Sequence, residues 1–192
     1  MRTATSAART VVGRFARSAT MTAQLMAAGR LSQPRTHLAR PVAFADGTTS
    51  YVFRETAIRD VHTTDPAVLV VRFHLRMIGT SPVWHALFRR ECVLHTPLFA
   101  GFPGFRSKLW LTEPRAGVYL GLYEWDGADL AVDYAETLAR LLRIVSTRRS
   151  VGHHVVRGIR RDELLRDPAL ITDGPDWSRL VTPAAPGGVL TG

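Results

Sequence analysis

From Val68 to Ile78 the chain alternates. Leu69, Val71, Phe73, Leu75 and Met77 fall on one side, and Arg72, His74 and Arg76 on the other. A period of two predicts a strand. Phe105–Thr112 and Gly117–Trp125 repeat the pattern, and Ser150–Ile159 gives a last strand. Between the first two, Ser81 and Pro82 form a helix start, and Trp84, Leu87, Phe88 and Cys92 recur at helical spacing. These predict a helix over Val83–Leu94, stopped by Pro97. After the third strand, Leu130, Tyr134, Leu138, Leu141 and Val145 form the apolar stripe of a second helix, opened by Asp126 or Asp129. Upstream, Pro41–Phe44 and Thr49–Ile58 flank Asp46-Gly47, a hairpin signal.

From Val68 onward the order is β-α-β-β-α-β. It predicts an α+β, ferredoxin-like domain: a four-stranded antiparallel sheet with two helices on one face. The other face is then bare, and the pattern makes it apolar, through Leu69, Val71, Phe73, Leu109, Leu111, Val118, Leu120 and Leu122. A homodimer packing sheet against sheet buries such a face, at about 25 cal/mol per Å² of apolar area. The expected organisation is a basic N-terminal arm over 1–40 and a hairpin extension over 41–60. The domain proper follows over 66–166, ending in a short helix from Asp162, and a Pro- and Gly-rich loose tail over 167–192.

Charge changes this picture only at the N-terminus. The chain has 192 residues and a net charge of +9. Residues 1–45 carry seven arginines and no acid, leaving 18 bases and 16 acids for the rest. The arm, partly helical over Ala16–Ala28, resembles a mitochondrial transit peptide in composition and suits contact with nucleic acid or anionic lipid. The plainer expectation is a solvated arm, with neither nucleic acid nor membrane as a partner. No apolar run approaches the roughly 20 residues of a membrane helix. Cys92 is the only cysteine, which excludes an internal disulfide and a cysteine zinc site and fits a cytoplasmic setting. His153-His154 looks like a metal pair, but neighbours on a strand point to opposite faces. Glu91 and His95 lack a third ligand. No metal and no cofactor are expected.

PGFRSKLWL, GVYLGLYEW and the helix AVDYAETLARL resemble the dimeric α/β-barrel proteins of the monooxygenase and antibiotic-biosynthesis-monooxygenase type. The resemblance covers about Val68 to Ile159. It implies a homodimer with one pocket per subunit between sheet and helices. Members include cofactor-independent oxygenases of phenolic or anthrone-like polyketides, haem-degrading enzymes and proteins without known activity. The resemblance implies a cofactor-independent enzyme of secondary metabolism, oxygenating or cyclising an aromatic or polyketide-like molecule. The alternative is a non-catalytic small-molecule-binding or dimerisation module. The chain has no asparagine. The well-understood oxygenases of the group use an Asn beside a Trp, so this chain departs from their pattern.

If the apolar faces meet in a dimer, the opposite positions line the pocket. Arg72, His74 and Tyr123 are then the candidate catalytic residues. Arg72 would hold an anionic oxygen, His74 would take a proton, and Tyr123 or Tyr119 would hydrogen-bond a carbonyl. Arg76, Trp84, Phe88, Lys108, Trp110, Tyr119, Trp125 and Tyr134 would bind substrate. Cations among rings suit a flat, conjugated molecule that is acidic or becomes an enolate. The same residues also fit plain packing: arginines snorkelling from a sheet edge, a histidine satisfied within a strand, rings filling a core.

Overall fold

Ala67, Val68, Leu69, Val70 and Val71 are all buried, at 2% exposure or less. A strand buried on both faces loses its polar alternation, and the fold is built around this one. The computed structural model describes residues 2–74, 96, 99–113, 118–146 and 150–183. Its elements are α1 (Arg2–Ala27), β1 (Leu31–Ser32), β2 (Pro41–Phe44), β3 (Thr49–Ile58), β4 (Pro66–His74), β5 (Phe105–Glu113), β6 (Val118–Asp126), α2 (Ala128–Val145), β7 (Gly152–Arg157), α3 (Arg161–Arg166), a 3-10 turn (Pro168–Leu170) and β8 (Leu180–Val181). The expected helix over Val83–Leu94 lies outside the described residues.

The strands form one antiparallel sheet in the order β7-β4-β6-β5-β3-β2-β8, with β1 on β3. Its first four strands are consistent with a ferredoxin-like arrangement. The sheet nevertheless has eight strands where four were expected. The hairpin joins edge to edge: β3 pairs with β5 and extends the sheet. The turn is as the sequence reads: Gly47 takes φ +84°, and Asp46 Oδ1 accepts the Thr48 N–H at 2.9 Å.

Pairing corrects the assignment of faces. Leu69 stands opposite Tyr123, Val71 opposite Gly121 and Phe73 opposite Tyr119. Leu69, Val71 and Phe73 therefore share the helix-covered face with the aromatic residues. Val68 and Val70 share the other with Leu109, Leu111, Val118, Leu120 and Leu122. Because β4 is apolar at every position from Ala67 to Val71, its sequence could not say which half faced which layer.

The second face is covered from within the chain. Leu164 and Leu165 of α3, Ile171, Trp177 and Leu180 pack on it, together with Val42, Phe44 and Val52 of the hairpin. Ile171, Trp177 and Leu180 thus anchor to the sheet a stretch in which composition suggested a loose tail. The bare face that motivated a sheet-to-sheet homodimer is occupied. An ion cluster anchors this layer: Glu55 Oε1 accepts from Arg161 Nη2 at 2.8 Å, and Glu55 Oε2 lies 2.9 Å from His37 Nδ1. Arg161 also holds Asp162 at 2.9 Å. Glu55 and Arg161 are both buried.

On the helix side, α2 buries Ala131, Tyr134, Ala135, Leu138 and Leu142. The stripe is rotated from the expected one, and Leu130 is left 40% exposed. Gly127 caps this helix without a side-chain bond. Asp126 instead accepts the Thr64 and Asp65 N–H groups, at 2.9 and 2.8 Å, and those bonds hold its carboxyl below the usual range against the opposing effect of burial. The arm is a longer helix than expected. It lies on the turn before β5 through Ser18, against Gly101, and Phe15, 5.6 Å from Phe102. A Cβ on Gly101 would overlap the Ser18 carbonyl, so only glycine lets α1 sit there.

Two outcomes follow from this packing. Glu55→Gln leaves the buried Arg161 guanidinium with only the exposed Asp162 as its ion-pair partner and should cost about 3 kcal/mol in urea denaturation, with much of it recovered in Glu55→Met/Arg161→Met. Gly101→Ala should lift α1 and speed tryptic cleavage after Arg17, whereas Gly13→Ala, whose Cβ meets nothing within 4 Å, should not.

Candidate functional site

The helix-side face carries cations among rings. Lys108 and Trp110 come from β5, with Tyr123 opposite Lys108 on β6. Lys108 is the only lysine in the chain and is 5% exposed. Its Nζ lies 3.1 Å from the Trp110 ring centroid, 4.6 Å from that of Phe99 and 4.7 Å from that of Tyr123. An ammonium over ring faces is held by their quadrupoles, the more so away from water.

A second cation arrives from β3. Its register with β5 shifts between Val52 and Arg54. One extra residue at Phe53 reverses the alternation beyond it. Val52 therefore points to the second face, while Arg54 and Thr56 point to the helix side. The Arg54 guanidinium stands 5.9 Å from the Trp110 ring, and its Nη2 donates to Thr96 Oγ1 at 3.4 Å. Trp110 Nε1 donates to Thr56 Oγ1 at 3.3 Å, which fixes the plane of the indole.

Rings continue from this point toward α2. Phe99 packs on Trp110 at 5.3 Å and on Tyr123 at 6.2 Å. Tyr123 meets Tyr134 at 5.7 Å, and Tyr134 lies on Trp125 at 4.9 Å and Phe102 at 5.0 Å. Gly121 makes room: a Cβ there would strike the Tyr123 ring. Burial first, then a hydrogen bond with Tyr123, raise the Tyr134 phenol well above its ordinary value. Tyr134 therefore stays protonated at neutral pH. Trp125 Nε1 is buried and has no hydrogen-bond partner among the described residues.

The structure therefore brings together Lys108, Trp110, Tyr123, Trp125 and Tyr134 of the expected set. Tyr119 shares their face but stacks on Phe73 at 6.0 Å, nearer the far end of β6. Arg72 and His74 are not with them. β4 alternates against its register with β6, and both fall on the second face, opposite Leu120 and Val118. Arg72 is ion-paired with Asp46. Burial, then the charge of Arg72, lowers the His74 pKa. The expected catalytic trio is thus split, with Tyr123 on one face and Arg72 and His74 on the other. Arg76, Trp84 and Phe88 lie outside the described residues. His153 and His154 diverge as strand neighbours do, His154 Nδ1 taking Ser178 Oγ at 3.0 Å. Among the described residues no group of three His, Cys, Asp or Glu side chains could hold a metal, and no helix is long and apolar enough to cross a membrane.

Arg54, Thr56, Thr96 and Phe99 were missed in the sequence. Arg54 and Glu55 look like alternate positions of one regular strand, and nothing in the composition of β3 marks Phe53 as the bulge.

No family model matches the sequence, and no curated protein matches it. Among solved structures the chain is similar to an uncharacterized ferredoxin fold protein related to antibiotic biosynthesis monooxygenases from Listeria monocytogenes, at 17% identity and a TM-score of 0.39 over 58% of this chain and 64% of that one. It is also similar to a monooxygenase-like protein from Listeria innocua, at 14% identity and a TM-score of 0.36 over 57% and 63%. The chain spans less than two thirds of either structure, and likenesses this slight carry no argument about activity.

The state of Tyr134 gives a pH test. Its folded pKa is raised, so its stabilising effect is present below the unfolded value of 10.0 and is lost as pH rises above it. In a spectrophotometric titration, the phenolate step missing from Tyr134→Phe should appear only with unfolding. Ionisation near pH 10 in the folded protein would contradict the burial.

Proposed function

We propose that the helix-side face binds a flat, conjugated, acidic small molecule and stabilises its conjugate base. The observation that carries this reading is the pair of buried cations, Lys108 and Arg54, at 3.1 Å and 5.9 Å from the Trp110 ring centroid. A delocalised anion such as a phenolate or enolate gains ring contact from Phe99, Trp110 and Tyr123 and charge neutralisation from the ammonium and guanidinium. The Tyr123 hydroxyl donates to a carbonyl oxygen as negative charge develops there. Such an anion is the reactive species for oxygenation and for cyclisation of aromatic or polyketide-like compounds, and neither demands a bound cofactor. On this reading the protein is a cofactor-independent enzyme, and O2 consumption separates the two reactions.

A second reading, binding without turnover, is favoured by the placement of His74. With that imidazole on the opposite face, the described residues of the site include no carboxylate or imidazole to take a proton. A substrate that ionises by itself near neutral pH needs none.

The experiment is a titration with 1-hydroxy-2-naphthoate, followed by tryptophan fluorescence. Wild type should bind, and Lys108→Met and Arg54→Met should each weaken binding by about 10- to 100-fold. Wild-type affinity in both variants, or no binding by the wild type, would overturn the assignment.

A further inference from the structure

A cavity lies outside this cluster. A groove of about 440 Å³ runs between α1 and the turn before β5, lined by Gly13, Arg14, Arg17 and Ser18 on the helix and by Phe102 and Pro103 on the turn. Its volume falls in the range of small-molecule sites. The helix is cut back at Gly13, where a Cβ would meet nothing within 4 Å. The Phe102 ring supplies a flat wall. The Arg14 guanidinium lies 5.9 Å from its centroid and is held there by Asp133 of α2, through Nη1 to Oδ1 at 2.8 Å. Arg17, one turn further along the same helix, is exposed and takes no ion pair among the described residues. Residues 1–45 contain no acid, so nothing on this part of the chain offsets its charge.

We infer that this groove is a second ligand site, for a small aromatic carboxylate. The ring lies against Phe102 and Pro103, and the carboxylate takes the Arg17 guanidinium, whose planar fork matches two oxygens. Arg14 is already neutralised by Asp133, so it adds a cationic edge beside the ring and not the main anchor. The site does not rest on the reading of the Lys108 cluster, because it uses none of the residues around that amine. Arg17 binds from a helix that the Gly101 contact keeps in place, which makes the groove preformed and its occupancy dependent on α1.

Calorimetric titration of the full chain with 2-naphthoate at low salt tests this, with 2-naphthylmethanol as the uncharged control. Arg17→Ala should weaken naphthoate binding by about tenfold or more, and Arg17→Lys by less, since an ammonium keeps the charge and loses the fork. In the Lys108→Met background, Gly13→Leu should fill the groove and abolish the binding that depends on Arg17, with the helix content by circular dichroism unchanged or higher. The Arg17 effect should persist in a Lys108→Met background. Wild-type affinity in both Arg17→Ala and Gly13→Leu, or equal binding of the alcohol, would overturn the proposal. Binding lost in Lys108→Met but kept in Arg17→Ala would assign the naphthoate to the Lys108 cluster, overturning the groove and leaving the first reading intact.

Discussion

A single extra residue in β3 organises both layers of the protein. At Phe53 the register against β5 slips by one, and Arg54 and Glu55 exchange the faces that a regular strand would give them. Arg54 turns toward Trp110 and Lys108. Glu55 turns toward Arg161 and His37. The same bulge therefore supplies a cation to the aromatic cluster and an anion to the opposite face. A regular strand would have set Arg54 against the layer of Leu109 and Leu111 and would have taken Glu55 away from Arg161. Burying either charge alone costs several kcal/mol.

The Glu55–Arg161 pair also determines what covers the second face. A ferredoxin-like sheet has helices on one side only, and the apolar residues on its other side need a partner. Here α3 and the chain up to Val181 fill that need, with Leu164, Leu165, Ile171 and Leu180 on Val68, Val70 and Leu122. Leucines at those positions would fit many surfaces, whereas a buried Arg161 fits only where a carboxylate waits. The ion cluster gives register to a layer whose adhesion is otherwise non-directional.

The helix side holds most of the aromatic rings of the sheet. Its rings form one path from Phe15 through Phe102, Tyr134 and Tyr123 to Phe99 and Trp110. Most of that path is packing. One end of it meets Lys108 and Arg54, whose buried charges act through a low dielectric. At the other end Arg14 and Arg17 place positive charge beside Phe102, in contact with solvent. The cations thus lie at the two ends of an aromatic layer, one end buried and one end open.

The sequence by itself determined the elements. The Asp46-Gly47 hairpin, the strands at Phe105 and Val118 and the helix from Ala128 to Val145 are local matters of turn chemistry and periodicity, and they stand where the chain places them. It also marked Lys108, Trp110, Tyr123, Trp125 and Tyr134 as residues of one face, because on β5 and β6 the rings and Lys108 alternate with aliphatic residues such as Leu109, Leu111, Leu120 and Leu122. Which half of β4 joined them was a tertiary decision. Ala67 to Val71 are apolar without interruption, and only hydrogen-bonded register with Tyr123 put Leu69 with the rings and Arg72 and His74 behind them. The packing of residues 167–183 and the bulge at Phe53 were likewise settled in three dimensions. Proline and glycine report local stiffness and not what a segment will meet, and a register shift exists only between two strands.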